Sequence, residues 1–137
     1  MDERPRILIA DDLPVNRSLL EHFLKKFGDC SFAANGLEVV DAFETGHTNG
    51  APLHLIMLDI MMPEMDGQEA LRLIRNKEQE MGLRQKDELK VIMVTSLGDW
   101  DNVLSGFKKG VVEYVVKPIK ETNLNEILNK MGFYALE

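Results

Sequence analysis

Several polar residues of this 137-residue chain stand where apolar segments stop, and their types suit one kind of chemistry. Asp11 and Asp12 follow the apolar run Arg6–Ala10, Asp59 follows residues 55–58, Thr95 follows 91–94, and Lys117-Pro118 follows 111–116. Carboxylates gathered in one place repel each other and take up protons unless a cation offsets them. A hard divalent cation such as Mg²⁺ is held by oxygen: one or two carboxylates, waters and the oxygens of a phosphate. His22, His47 and His54 are scattered without metal spacing and Cys30 is the single cysteine, so the ligand set of a zinc site is missing. Beside such a cation, Asp59 can attack a phosphoryl group and form an acyl phosphate. That transfer asks mainly for charge neutralisation and alignment, to which Lys117 brings a point charge and Thr95 a hydroxyl donor. Each residue alone has an ordinary reading. Asp12 is a helix cap before Pro14, Asp59 a turn residue, Thr95 a cap, Lys117 an exposed lysine and Tyr114 a core aromatic. Their joint placement favours the chemical one.

The elements that must hold these residues alternate along the chain. Arg6–Ala10 reads as a first strand, residues 30–34 as a second, 55–58 as a third, 91–94 as a fourth and 111–116 as a fifth. Between them run amphipathic segments. Pro14 opens the first helix, where its missing N–H is harmless; Leu20, Phe23, Leu24 and Phe27 recur at helical spacing, and Gly28 ends it. Asn35-Gly36 is a turn before a helix striped by Leu37, Val40 and Phe43. Asp66-Gly67 precedes a third helix with Ala70, Leu71 and Ile74. Trp100, Val103, Leu104 and Phe107 stripe a fourth helix, and Leu124, Ile127, Leu128 and Met131 a fifth. Residues 75–90 are charged and read as a solvated extension of the third helix and a loop. Continuous apolar strands alternating with amphipathic helices predict an α/β fold, a doubly wound parallel sheet of five strands covered on both faces by five helices. In such sheets ligands bind at the carboxyl ends of the strands, where the polar residues stand.

Length and composition allow one domain, residues 1–137 with a core over about 5–132, and no output domain within the chain. The net charge of −7 argues against direct nucleic-acid binding. Neither a signal peptide nor a membrane-length apolar run is found, which makes the cytoplasm the expected location. Cys30, among apolar neighbours, reads as a buried structural thiol.

The run Leu55-Ile-Met-Leu-Asp59-Ile-Met-Met-Pro63-Glu-Met-Asp66-Gly67 strongly resembles the phosphorylation segment of response-regulator receiver domains, the CheY-like superfamily of two-component signalling. Asp11-Asp12, Thr95-Ser96 and Tyr114-Val-Val-Lys117-Pro118 match the same family in order and spacing, and the resemblance extends from Arg6 to about Met131. It implies the flavodoxin-like strand order 2-1-3-4-5. It implies Asp59 as phosphoacceptor. Mg²⁺, for which Mn²⁺ can substitute, would be held by Asp12 directly, by Asp11 largely through water, by Asp59 and by the backbone carbonyl of Met61. Thr95, Ser96 and Lys117 would face the phosphoryl oxygens, Tyr114 would be the switching aromatic, and the Lys117–Pro118 bond would be cis. The chain departs from the family in two places: Ser96 and Val111 stand where smaller residues are usual. Met61 and Leu97, at the positions that flank the attacking-water path in the family, are both apolar here.

The resemblance implies a signalling phospho-switch rather than an enzyme, one that assists its own phosphorylation and dephosphorylation. A histidine kinase or histidine phosphotransfer domain would be the donor. The face of the fourth helix, fifth strand and fifth helix would bind a downstream protein, with the chain a monomer or a phosphorylation-dependent dimer and without nucleic-acid or membrane partners. Asn16-Arg17 and the charged insertion before the fourth strand also resemble receivers within hybrid histidine kinases, which is the alternative parent. A Mg²⁺-dependent phosphatase with an aspartate nucleophile would carry Asp-x-Asp at the end of the first strand, which Asp11-Asp12 does not. A pseudo-receiver that only binds partners is disfavoured by the full set of acidic, hydroxyl and lysine residues.

Overall fold

The computed structural model describes residues 4–96 and 113–136. Five parallel strands form one sheet: β1 (Arg6–Ala10), β2 (Asp29–Ala33), β3 (Leu55–Asp59), β4 (Lys90–Thr95) and β5 (Glu113–Val116). Their order is β2-β1-β3-β4-β5, so the chain runs outward from β1 to one edge, returns to β3 and continues to the other. Four α-helices are found among the described residues: α1 (Pro14–Leu24), α2 (Gly36–Thr48), α3 (Gly67–Met81) and α4 (Glu121–Lys130), with a 3-10 turn at Gln85–Asp87. The flavodoxin-like doubly wound fold expected from the sequence is the one observed. The helix expected over residues 100–107, Val111 and Leu97 lie outside the described residues.

Side-chain alternation sorts the strands into two cores, because successive residues of a strand face opposite sides. Leu8, Ala10, Ile56, Leu58, Val91 and Met93 join Val39 and Phe43 of α2 and Ala70, Leu71 and Ile74 of α3 on one side. Ile7, Ile9, Leu55, Met57, Ile92, Val94 and Val115 join Leu20 and Leu24 of α1 and Leu124 and Leu128 of α4 on the other. All five residues of β3 are buried, as a central strand covered on both faces requires.

Two expectations need correction. The buried stripe of α2 is Val39 and Phe43, while Leu37 is 51% exposed; the helix starts at Gly36, and that phase turns Leu37 outward. The stretch 75–90 is not simply solvated. Glu78 is fully buried, pairing with Arg75 Nη1 at 2.7 Å and accepting the Leu89 backbone N–H at 2.6 Å. It thereby ties the end of α3 to the segment entering β4, after Gly82 closes the helix in the left-handed conformation (φ 71°).

Candidate functional site: an acidic cluster with a lysine at the strand ends

The sheet ladders run one residue past the strands and so fix the backbone of the polar residues. The Asp11 amide donates to Ala33 O (3.1 Å), Ile60 N to Val94 O (3.2 Å) and Lys117 N to Thr95 O (2.8 Å). Ala10 lies opposite Leu58 and Asp59 opposite Val94, so the end of β1 brings Asp11 beside Asp59. Alternation places Asp11, Asp59 and Lys117 in phase with Ile9, Met57 and Val115, on the α1 and α4 side of the sheet.

Asp11, Asp12 and Asp59 each offer an oxygen within 4.8 Å of the others. Asp11 is 1% exposed and Asp59 5%, whereas Asp12 is exposed. Lys117 Nζ lies 3.2 Å from Asp59 Oδ2 and 3.6 Å from Asp11 Oδ2. Burial pushes the Asp59 carboxyl up from its ordinary 3.8 to about 6, with Asp11 adding to the rise and Lys117 opposing it. Burial alone would depress the Lys117 ammonium, but Asp59 and Asp11 beside it hold it above its ordinary value. One ammonium against three carboxylates leaves the cluster short of positive charge. The donors are all oxygen, one carboxylate faces solvent, and none is His or Cys. This set fits a hard divalent cation of the Mg²⁺ kind.

Two tight approaches build the walls. Gly67 starts α3 directly under Asp59: its N–H donates to Ile60 O at 2.9 Å, and a Cβ there would lie 2.2 Å from Asp59 O. Gly36 likewise sits against Met65 O. Between them the loop after β3 carries Met61, 63% exposed, with its amide 3.4 Å from Asp59 Oδ1, and Glu64 in the left-handed region (φ 68°). On the open side, a cleft of about 380 Å³ is lined by Asp11, Asn16, Leu19, Leu20, Lys117, Pro118 and Ile119. The Lys117–Pro118 bond is cis.

Thr95 is buried beside the cluster and its hydroxyl donates to Ser96 O at 3.1 Å; Ser96 itself is exposed. Tyr114 pairs across the ladder with Met93 and packs on the α2 and α3 side, in phase with Thr95 and out of phase with Lys117. Asp12 does not cap α1. The cap position is Leu13, and it is the Asp11 carboxylate that accepts the Leu13 N–H, at 2.9 Å. The half-buried Cys30 thiol, pushed up to about 11 by burial and then by Glu21, stays protonated and lies on β2, away from this edge. Sequence reasoning gave Arg17 no place in the site, yet its guanidinium holds the Asp11 carbonyl at 2.7 Å.

The chain belongs to the response regulator receiver domain family, whose model matches residues 7–129. It is 37% identical over 129 residues to hybrid signal transduction histidine kinase F of Dictyostelium discoideum, covering 93% of this chain but 11% of that protein. It is 33% identical over 127 residues to the chemotaxis protein CheY of Listeria monocytogenes, covering 91% of this chain and 96% of that one. Among solved structures, it superposes with a TM-score of 0.79 and 25% identity on the receiver domain of the Saccharomyces cerevisiae response regulator Ssk1, crystallised with the histidine phosphotransfer protein Ypd1. That match covers 96% of this chain and 91% of the other. The acidic cluster thus lies in a receiver domain of two-component signalling, and no helix among the described residues is long and apolar enough to cross a membrane.

Proposed function

We propose that the chain is a phospho-switch whose Asp59 accepts a phosphoryl group from a histidine kinase or a histidine phosphotransfer domain. The observation that carries this reading is the buried Asp59 carboxylate, 3.2 Å from Lys117 Nζ and within one cation's reach of Asp11 and Asp12. Asp12, Asp59, the Met61 carbonyl and, through water, Asp11 would hold Mg²⁺, which when bound supplies the positive charge the cluster lacks and aligns the phosphoryl oxygens. An Asp59 oxygen forms the new bond to phosphorus as the bond from phosphorus to the donor imidazole nitrogen breaks, and the freed imidazole leaves with its electron pair and is protonated. Lys117 then pairs with a phosphoryl oxygen, while Thr95 and Ser96 offer hydroxyls. The donor enters over the 380 Å³ cleft, where exposed Leu13, Val15 and Leu19 give α1 an apolar rim.

The product carries about two negative charges and strong acceptor oxygens, a large local change in a mostly buried place. Thr95 moving toward them makes room for Tyr114, and the surface around β5 changes shape for a protein target; a two-state equilibrium is thus biased by the phosphoryl group. The domain acts in the cytoplasm. Its parent is either a free-standing regulator, as the CheY relative favours, or a hybrid kinase, as the Dictyostelium relative favours.

Incubating the chain with Mg²⁺ and acetyl phosphate should add one phosphoryl group, read by intact mass. Asp59→Asn should abolish it, and chelation of the metal should do the same. Full labelling of Asp59→Asn would reject the acceptor, and full labelling without divalent metal would reject the cation.

A further inference from the structure

The motif Asn16-Arg17 is not used by the chemistry above, and the structure gives it a place. Both residues lie in the first turn of α1 and both reach back to Asp11. Arg17 Nη1 donates to the Asp11 backbone carbonyl at 2.7 Å, and Asn16 Nδ2 lies 3.4 Å from Asp11 Oδ1. The same Oδ1 accepts the Leu13 amide at 2.9 Å. On the other side, the Asp11 amide is held by Ala33 O at 3.1 Å. Residues 11–13 are therefore pinned at the amide, carbonyl and carboxylate of Asp11, and only Oδ2 of that residue faces Lys117. Asp12, exposed, projects from the middle of this pinned elbow, so its direction is set by bonds it does not itself make.

We infer that Arg17 is a positioning residue for cation binding, holding the Asp11–Asp12 elbow so that the Asp12 carboxylate points into the cluster. The inference rests on the Mg²⁺ reading of that cluster. Arginine suits the task for two reasons. Its planar fork delivers an N–H to a carbonyl with little loss of freedom, and it is always charged. Half-buried and bonded to the Asp11 carbonyl, it also brings a fixed positive charge to the elbow without occupying a ligand position. Groups that orient metal ligands from behind commonly matter nearly as much as the ligands themselves.

The test uses the 137-residue chain in two measurements. Calorimetric titration with Mg²⁺ alone reads cation affinity. Amide hydrogen exchange of Leu13 by NMR, without metal, reads whether the elbow is held. Arg17→Ala should weaken Mg²⁺ roughly tenfold and speed exchange at Leu13 with the metal-free unfolding midpoint close to native. Arg17→Lys keeps charge and stem but loses the fork. It should bind Mg²⁺ better than Arg17→Ala, yet below native affinity, with Leu13 exchange still raised. Native Mg²⁺ affinity in Arg17→Ala overturns the inference. So does full recovery in Arg17→Lys, which would leave charge alone as the cause. If the native chain takes no Mg²⁺, the proposed function fails instead, and Leu13 exchange still decides whether Arg17 holds the elbow.

Discussion

Asp59 sits where burial and charge oppose each other, and the opposition has a sign that can be measured. Its folded value near 6 lies above the ordinary 3.8. Folding therefore favours its protonated form: the stability it lends is complete below about pH 4 and is lost as pH rises through about 6. At neutral pH the carboxylate opposes folding by at most about 3 kcal/mol, from roughly two units at 1.36 kcal/mol each. Asp59→Asn should accordingly raise the metal-free thermal midpoint at pH 7.5, with the gain fading toward pH 4, and saturating Mg²⁺ should narrow the gap by stabilising only the native chain. A flat difference across that pH range would contradict the assignment. The cluster itself was legible because a parallel sheet delivers its strand ends to one edge, so residues far apart in sequence could be grouped by position alone. Arg17 was not legible. A guanidinium bonding to a backbone carbonyl six residues away leaves no pattern of spacing, and an arginine on a helix reads as solvated.

At the scale of elements, the join between α3 and β4 depends on Glu78. A fully buried carboxylate is tolerated only with partners, here Arg75 and the Leu89 amide. Glu78→Ala takes away that counter-charge and leaves the amide without its acceptor, which should cost about 3 kcal/mol. A urea titration would show this as a lower midpoint with an unchanged slope. Glu78→Gln keeps an acceptor for Leu89 and should lose less. The first four strands were readable within a residue, since apolar runs bounded by polar residues mark buried strands, and the expected start of the fifth at 111 lies outside the described residues. The phase of α2 was not, because Leu37, Val39 and Val40 all lie within one turn and only packing decides which turn inward. Glu78 escaped for a similar reason: in a charged stretch, nothing local distinguishes a buried carboxylate from its exposed neighbours.

For the whole molecule, the two-core sheet divides the labour. Asp11, Asp59 and Lys117 meet on the α1 and α4 side, whereas Thr95 shares the opposite phase with Tyr114 on the neighbouring strand. On the proposed reading, a phosphoryl group on Asp59 would be felt on one side and relayed on the other. Beryllofluoride with Mg²⁺ should move the amide resonances of Glu113–Val116 strongly in the native chain and much less in Thr95→Ala, although that variant still binds the mimic at Asp59. A full response in Thr95→Ala would mean that the signal travels by another route. The seating of Gly67 under the Asp59 carbonyl, and of Gly36 against Met65, bears on where that movement begins. With backbone resting on backbone at both places, there is no room for a side chain between the end of β3 and the start of α3, or between the start of α2 and the Met65 loop. If Asp59 accepts a phosphoryl group as proposed, the acceptor would be bolted to the stator of the machine, and the rotor would lie across the cleft, among the strands that lead to Thr95 and Lys117.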